Sequence, residues 1–128
     1  LHDALPILLW QDERTLNLVK RAAENADTCM MVGNGSAILA QTGLLYRRKL
    51  ADCPLDKNWN RMFTAGIERI EGARVAADGK YYSCSSTAAG LDMTLWMVAD
   101  QIDIDVAAEA ARQIGYAWDP AGGEEIYC

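Results

Sequence analysis

Histidine is almost missing from this chain: His2 is the single one among 128 residues. The four cysteines, Cys29, Cys53, Cys84 and Cys128, never form a Cys-x-x-Cys pair. Together these two absences exclude the usual zinc-site spacings, so neither a metal nor a cofactor is expected. Free thiols in a reducing cytoplasm are the plainest reading of such cysteines. No apolar run approaches the ~20 residues of a membrane helix, and no signal peptide is visible. The expected localisation is therefore cytoplasmic, with no membrane partner. Positive charge is also scarce: 12 Lys and Arg stand against 18 Asp and Glu, a formal net charge of −6. Binding a nucleic-acid backbone needs clustered cations. Arg47-Arg48-Lys49 is the one basic cluster, and it reads as a solvated turn. Nucleic acid is not expected as a partner.

A length of 128 residues suits one domain, and 51% hydrophobic with 23% charged residues suits a globular one. There is no internal repeat or low-complexity tract. Residues 1–7, Leu1-His2-Asp3-Ala4-Leu5-Pro6-Ile7, match the translation of a common sequencing-adapter end. They are set aside as a non-native segment. Residues 8–128 are then expected to be the C-terminal part of one domain, and that part holds no histidine.

Apolar spacing along the chain predicts alternating helices and strands. Leu16, Val19 and Ala23 give a helix from Asp12 to Glu24, capped by Asp12 or Thr15. Residues 28–32 read as a short buried strand, parallel in character. Gly33-Asn34-Gly35 turns the chain into a short helix over residues 36–41, stopped by Gly43. A strand is expected over residues 49–53, ended by Pro54, and a helix over 56–65 carrying Trp59 and Phe63. Asp78-Gly79 signals a hairpin between strands at 73–76 and 81–84. A helix follows from about Thr87 to Gln101, with Leu91, Leu95, Val98 and Ile102 as its apolar face. Asp105 is expected to cap a last helix, Val106 to Ile114, ended by Gly115. This alternation defines an α/β class: a partial flavodoxin-like layered domain with a mostly parallel sheet and flanking helices. Ligands in such sheets bind beyond the carboxyl ends of the strands, and Gly33 sits at one.

Three stretches together carry a resemblance. Val32-Gly33-Asn34-Gly35-Ser36-Ala37-Ile38-Leu39-Ala40-Gln41-Thr42-Gly43-Leu44-Leu45 is similar to the pattern Val-Cys-Thr-Gly-Ser-x-x-Leu-Ala-x-x-Gly-Leu-Leu. The second runs from Ala73 through Asp78-Gly79-Lys80 to Ser85. The third, Ala89-Gly90-Leu91-Asp92-Met93-Thr94-Leu95, is similar to Ala-Gly-Ile-Asp-Met-x-Leu. The chain thereby resembles the ThiJ/PfpI family of the class I glutamine-amidotransferase-like superfamily, nearest its isocyanide hydratase-like and amidase-like members. The resemblance implies a cysteine nucleophile at a strand-to-helix elbow, an acidic partner upstream of this sequence, and a homodimer when full length. It implies hydrolase, hydratase or amidase chemistry on a small carbon–nitrogen substrate.

Gly33 stands where the pattern has its cysteine, which leaves the chain's own activity open. The expectation is a truncated, catalytically degenerate domain. An active hydrolase, hydratase or amidase whose cysteine was lost only in this read is one alternative. The sensor domain of a transcription regulator is the other. Gly33, Asn34, Gly35 and Ser36 are the candidate binding residues: helix-terminal amides can hold an anion or a carbonyl oxygen of a small molecule. Cys53, which aligns with a family histidine position, and Asp92 are the weaker catalytic candidates. Asp92 also suits a purely structural place in a helix's first turn. Cys29 reads as core, whereas Cys84 can face the sheet's carboxyl edge. Nucleophilic use of any of these thiols requires a base or a cation beside it. Trp59, Trp96 and Trp118 read as packing or interface residues, and Met93 and Met97 as core or dimer contacts.

Overall fold

This computed structural model describes residues 12–52, 66–120 and 126–127. The strand expected over 49–53 ends at Ala51; Cys53, the helix expected over 56–65 and its Trp59 and Phe63 lie outside the described residues. The elements run α1 (Glu13–Asn25), β1 (Cys29–Val32), α2 (Gly35–Ala40), β2 (Lys49–Ala51), β3 (Glu68–Ile70), β4 (Val75–Asp78), β5 (Tyr81–Cys84), α3 (Ala89–Gln101), α4 (Ile104–Ile114) and β6 (Ile126–Tyr127). The α/β layering expected from the sequence is present.

One four-stranded sheet has the order β1-β5-β4-β6, and β2 and β3 form a second, two-stranded sheet. β1 runs parallel to β5, with Cys29 opposite Tyr81 and Val32 opposite Cys84. β2 and β3 are parallel, as are β4 and β6. Only the β4–β5 hairpin is antiparallel among these pairs. It turns through Gly79 at φ +62, a left-handed conformation that suits glycine. Its first strand begins two residues later than expected, at Val75, because the turn takes only Gly79 and Lys80.

Side chains, not a shared ladder, tie the two sheets together. The Ala51 amide donates to Ser83 Oγ at 2.9 Å, and the Lys49 amide donates to Asp78 Oδ2 at 2.8 Å. Lys80, from the hairpin turn, donates through Nζ to the carbonyls of Ala23 at 2.6 Å and Ala26 at 3.1 Å. A cation there completes the carboxyl end of α1, where the last carbonyls lack intrahelical partners.

Asp12 caps α1: its Oδ1 accepts from the amides of Arg14 and Thr15, and Thr15 Oγ1 donates to Oδ2 at 2.6 Å. The cap of α4 differs from expectation. Asp103 holds it, with extended backbone and Oδ1 accepting from the Asp105 amide at 2.6 Å. Two aspartates two residues apart both suit a cap by composition. The backbone selects the one that remains extended. Gly115 ends α4 in the left-handed region, φ 73 and ψ 25, as its position suggests.

Two further expectations are corrected. β1 is buried on one face only: Met31 is 5% exposed, whereas Met30 and Val32 are 37% and 43% exposed. Among the described residues β1 pairs with β5 alone, so its other edge and part of one face stay open. The apolar face of α3 is also rotated. Leu95 is buried as expected, but Leu91 and Ile102 are largely exposed, and Ala89 and Met93 are buried in their place. α3 is apolar nearly all round, so periodicity selects no face. Tertiary contacts decide: Ala89 and Met93 pack on Val75, Tyr82 and Cys84 of the sheet, while Leu95 packs on Ala107 and Ala111 of α4. Trp96 and Trp118 close that second seam edge to face, 5.8 Å between centroids. Met97 flanks Met93 from the next turn. On the opposite side of the sheet, Ala23, Met31, Leu39, Leu45, Leu50 and Tyr81 form the remaining core under α1 and α2.

Candidate functional site

The turn between β1 and α2 is built by hydrogen bonds that extend the ladder past the strand. Gly33 N–H donates to the Cys84 carbonyl at 3.2 Å, and Ser36 Oγ donates back to the Gly33 carbonyl at 3.4 Å. Gly33 has φ +53. That conformation costs a residue with a side chain on the order of 1–3 kcal/mol. A Cβ built on Gly33 meets no atom of the described residues within 4 Å. The next three residues have ordinary geometry. Asn34 is helical at φ −72, and Gly35 and Ser36 start α2. Amides of a first helical turn lack intrahelical acceptors. α2 has only six residues, so its dipole adds little.

A cation stands beside this turn. Arg69 of β3 donates through Nη1 to Ser36 Oγ at 3.0 Å and to the Ala51 carbonyl at 3.3 Å. Ser36 itself is buried, at 2% exposure. Sequence reasoning missed Arg69, whose contact with Ser36 spans 33 residues. The available signal was weak: one arginine in a three-residue strand, Glu68-Arg69-Ile70.

Cys84 lies directly under the turn. Its thiol donates toward the Ser86 carbonyl at 3.2 Å and lies 3.7 Å from the Met31 carbonyl oxygen. Burial pushes this thiol above the usual cysteine range, with the Gly33 and Ser86 backbone and the Arg74 charge pulling weakly the other way. A buried, protonated thiol is a poor nucleophile. Cys84 therefore does not face the sheet's carboxyl edge as an open group, which corrects that expectation. Cys29 is half-buried and directs its thiol to the Ala23 carbonyl at 3.6 Å. Cys53 lies outside the described residues.

Asp92 is buried in the first turn of α3, with one oxygen ion-paired and the other hydrogen-bonded. Arg74 Nη1 pairs with its Oδ2 at 2.8 Å, and Tyr116 OH donates to its Oδ1 at 3.0 Å. The structure thus brings Gly33, Asn34, Gly35 and Ser36 together with Arg69 and holds Asp92 in a separate cluster. Among the described residues no group of three or more His, Cys, Asp or Glu can hold a metal ion, and no helix is long and apolar enough to cross a membrane.

No protein-family model matches the chain. Relatives do. The chain is 27% identical over 115 residues to an isonitrile hydratase from Pseudomonas putida, covering 88% of this chain and 48% of that protein. A ThiJ/PfpI family protein from Pseudomonas syringae superposes with a TM-score of 0.73 at 28% identity, covering 90% of this chain and 46% of that one. An AraC family transcriptional regulator from Pseudomonas putida shares the fold at 19% identity, with a TM-score of 0.60 over 80% of this chain and 52% of its own. The chain has a ThiJ/PfpI-family fold, and it spans about half the length of the relatives it matches.

Proposed function

We propose that this chain is a ThiJ/PfpI-like domain whose elbow holds a small anion or carbonyl group without covalent catalysis. One observation carries the reading: Gly33 keeps a left-handed backbone, and among the described residues no side chain lies where its own would point. The geometry suits a nucleophile elbow, and the reactive atom is absent. Arg69 at Ser36 adds the charge that an anionic or polarised oxygen would meet. The other candidates among the described residues do not compensate. Cys84 is buried and held protonated, Asp92 is engaged by Arg74 and Tyr116, and the chain's one histidine is His2.

The likeness to an isonitrile hydratase supports ancestral chemistry on a small carbon–nitrogen substrate. A second reading, a sensor domain, is favoured by the shared fold with an AraC family regulator, because a sensor needs the same noncovalent site. The test is to titrate the purified chain with acetate while following the amides of residues 33–36, and to assay isonitriles and small amides for turnover. Saturable shifts at the elbow without turnover are expected. Turnover abolished by a thiol-alkylating reagent would overturn the reading.

A further inference from the structure

Away from the elbow, α1 and the end of α2 enclose a surface cavity of about 370 Å³. Glu13, Leu16, Asn17 and Lys20 line it from α1, and Gln41 and Thr42 from the end of α2. The four α1 residues recur at i, i+3, i+4 and i+7 and so share one helix face. Gln41 is the unusual member. Its Oε1 and Nε2 are both shut off from solvent, and neither has a hydrogen-bond partner. Buried polar atoms without partners are rare, because they lose water and gain nothing in return. Thr42 does not relieve them: its hydroxyl already donates to the Leu39 carbonyl and accepts from the Leu44 amide.

We propose that this cavity is a binding site for a small neutral amide, with the Gln41 carboxamide as its recognition group. A carboxamide offers one donor and one acceptor side by side. The complement of that pair is another amide, whose carbonyl accepts from Nε2 and whose N–H donates to Oε1. Turning the Gln41 group toward the cavity breaks no hydrogen bond, since it makes none. Glu13 and Lys20 put opposite charges at the two ends of the stripe, about 10 Å apart along the helix axis. That balance favours a neutral ligand over an anion. Leu16 supplies apolar surface for a methyl group. The volume equals that of roughly a dozen water molecules at about 30 Å³ each, enough for a capped amino acid.

The probe is N-acetylglycinamide, titrated into the isotope-labelled chain. The side-chain NH₂ signals of Gln41 and the backbone amides of Asn17 and Lys20 are expected to shift saturably, whereas sodium acetate and phosphate leave them in place. Gln41→Leu, which removes donor and acceptor together, is expected to weaken binding at least roughly tenfold. Gln41→Glu, which keeps the shape and loses the donor, is expected to weaken it as well, so a folding defect in one variant does not decide the matter. No saturable shift, unchanged affinity in both variants, or a Gln41 NH₂ group held by a bound water that the amide does not displace would overturn the proposal.

Discussion

β1 and β5 lie side by side, Val32 opposite Cys84, and each leads out of the sheet into a helix. The two exits are finished in opposite ways. After β1, Gly33 takes a left-handed conformation that only glycine adopts freely, and among the described residues nothing fills the position of a side chain. After β5, the first turn of α3 carries Asp92, enclosed by Arg74 and Tyr116. Both positions belong to stretches that resemble family patterns, and only the surroundings separate them. At the first, a left-handed turn residue without a side chain leads into a short helix. At the second, a carboxylate joins α3 to Arg74, just before β4, and to Tyr116, after α4. The comparison teaches that a motif fixes a position in the fold, and that distant partners fix what the position does.

The largest effect that can break this contrast is at Asp92. Asp92→Ala leaves Arg74 and Tyr116 without their shared acceptor. Removing one member of a buried pair costs about 3–5 kcal/mol. The Arg74 side chain is 38% exposed and can turn to water, so roughly 2 kcal/mol is expected, read as a lower urea midpoint at constant slope. A loss below about 0.5 kcal/mol, within the range of ordinary surface substitutions, would return Asp92 to the list of catalytic candidates.

Next in size is strain at the turn. Gly33→Ala is expected to cost about 1 kcal/mol through backbone strain alone, since the added Cβ meets nothing. Gly35→Ala is the control. It also meets nothing, but Gly35 has no positive φ and opens α2, so alanine there is expected to be neutral or slightly stabilising. Equal losses at both positions would remove the distinction between a strained elbow and an ordinary turn.

The smallest effect is in pH. Cys84 has its folded pKa raised by burial. Its contribution is therefore fully present below the unfolded value of about 8.5, and is lost as pH rises through the folded value. Above about pH 8.5 the unfolded chain sheds this proton while the folded one keeps it, so stability falls. Cys84→Ala is expected to flatten that part of the stability curve. An unchanged slope would mean that the thiol under the elbow is not buried in solution.

Local features were the legible ones. The Asp12 cap, the hairpin at Gly79, the αL stop at Gly115 and the strand-turn-helix around Gly33 each depend on a few adjacent residues whose backbone preferences are strong. What failed depended on partners far along the chain. Leu91 and Leu95 look alike in an apolar helix, and only the position of α4 buries the second. The exposure of Met30 and Val32 depends on which strands flank β1. The place of Arg69 at Ser36, and the enclosure of Asp92 by Tyr116 24 residues away, have no local signature at all.

The most direct test of the central claim is the reactivity of a cysteine returned to the turn. Gly33→Cys is made in a background with Cys29, Cys53, Cys84 and Cys128 replaced, and the rate of alkylation is followed against pH. If the turn retains the geometry and electrostatics of a nucleophile elbow, the first-turn amides and Arg69 stabilise the thiolate. The reaction midpoint then falls clearly below the ~8.5 of a free cysteine. A midpoint at or above ~8.5 would contradict the account and leave a likeness of fold alone.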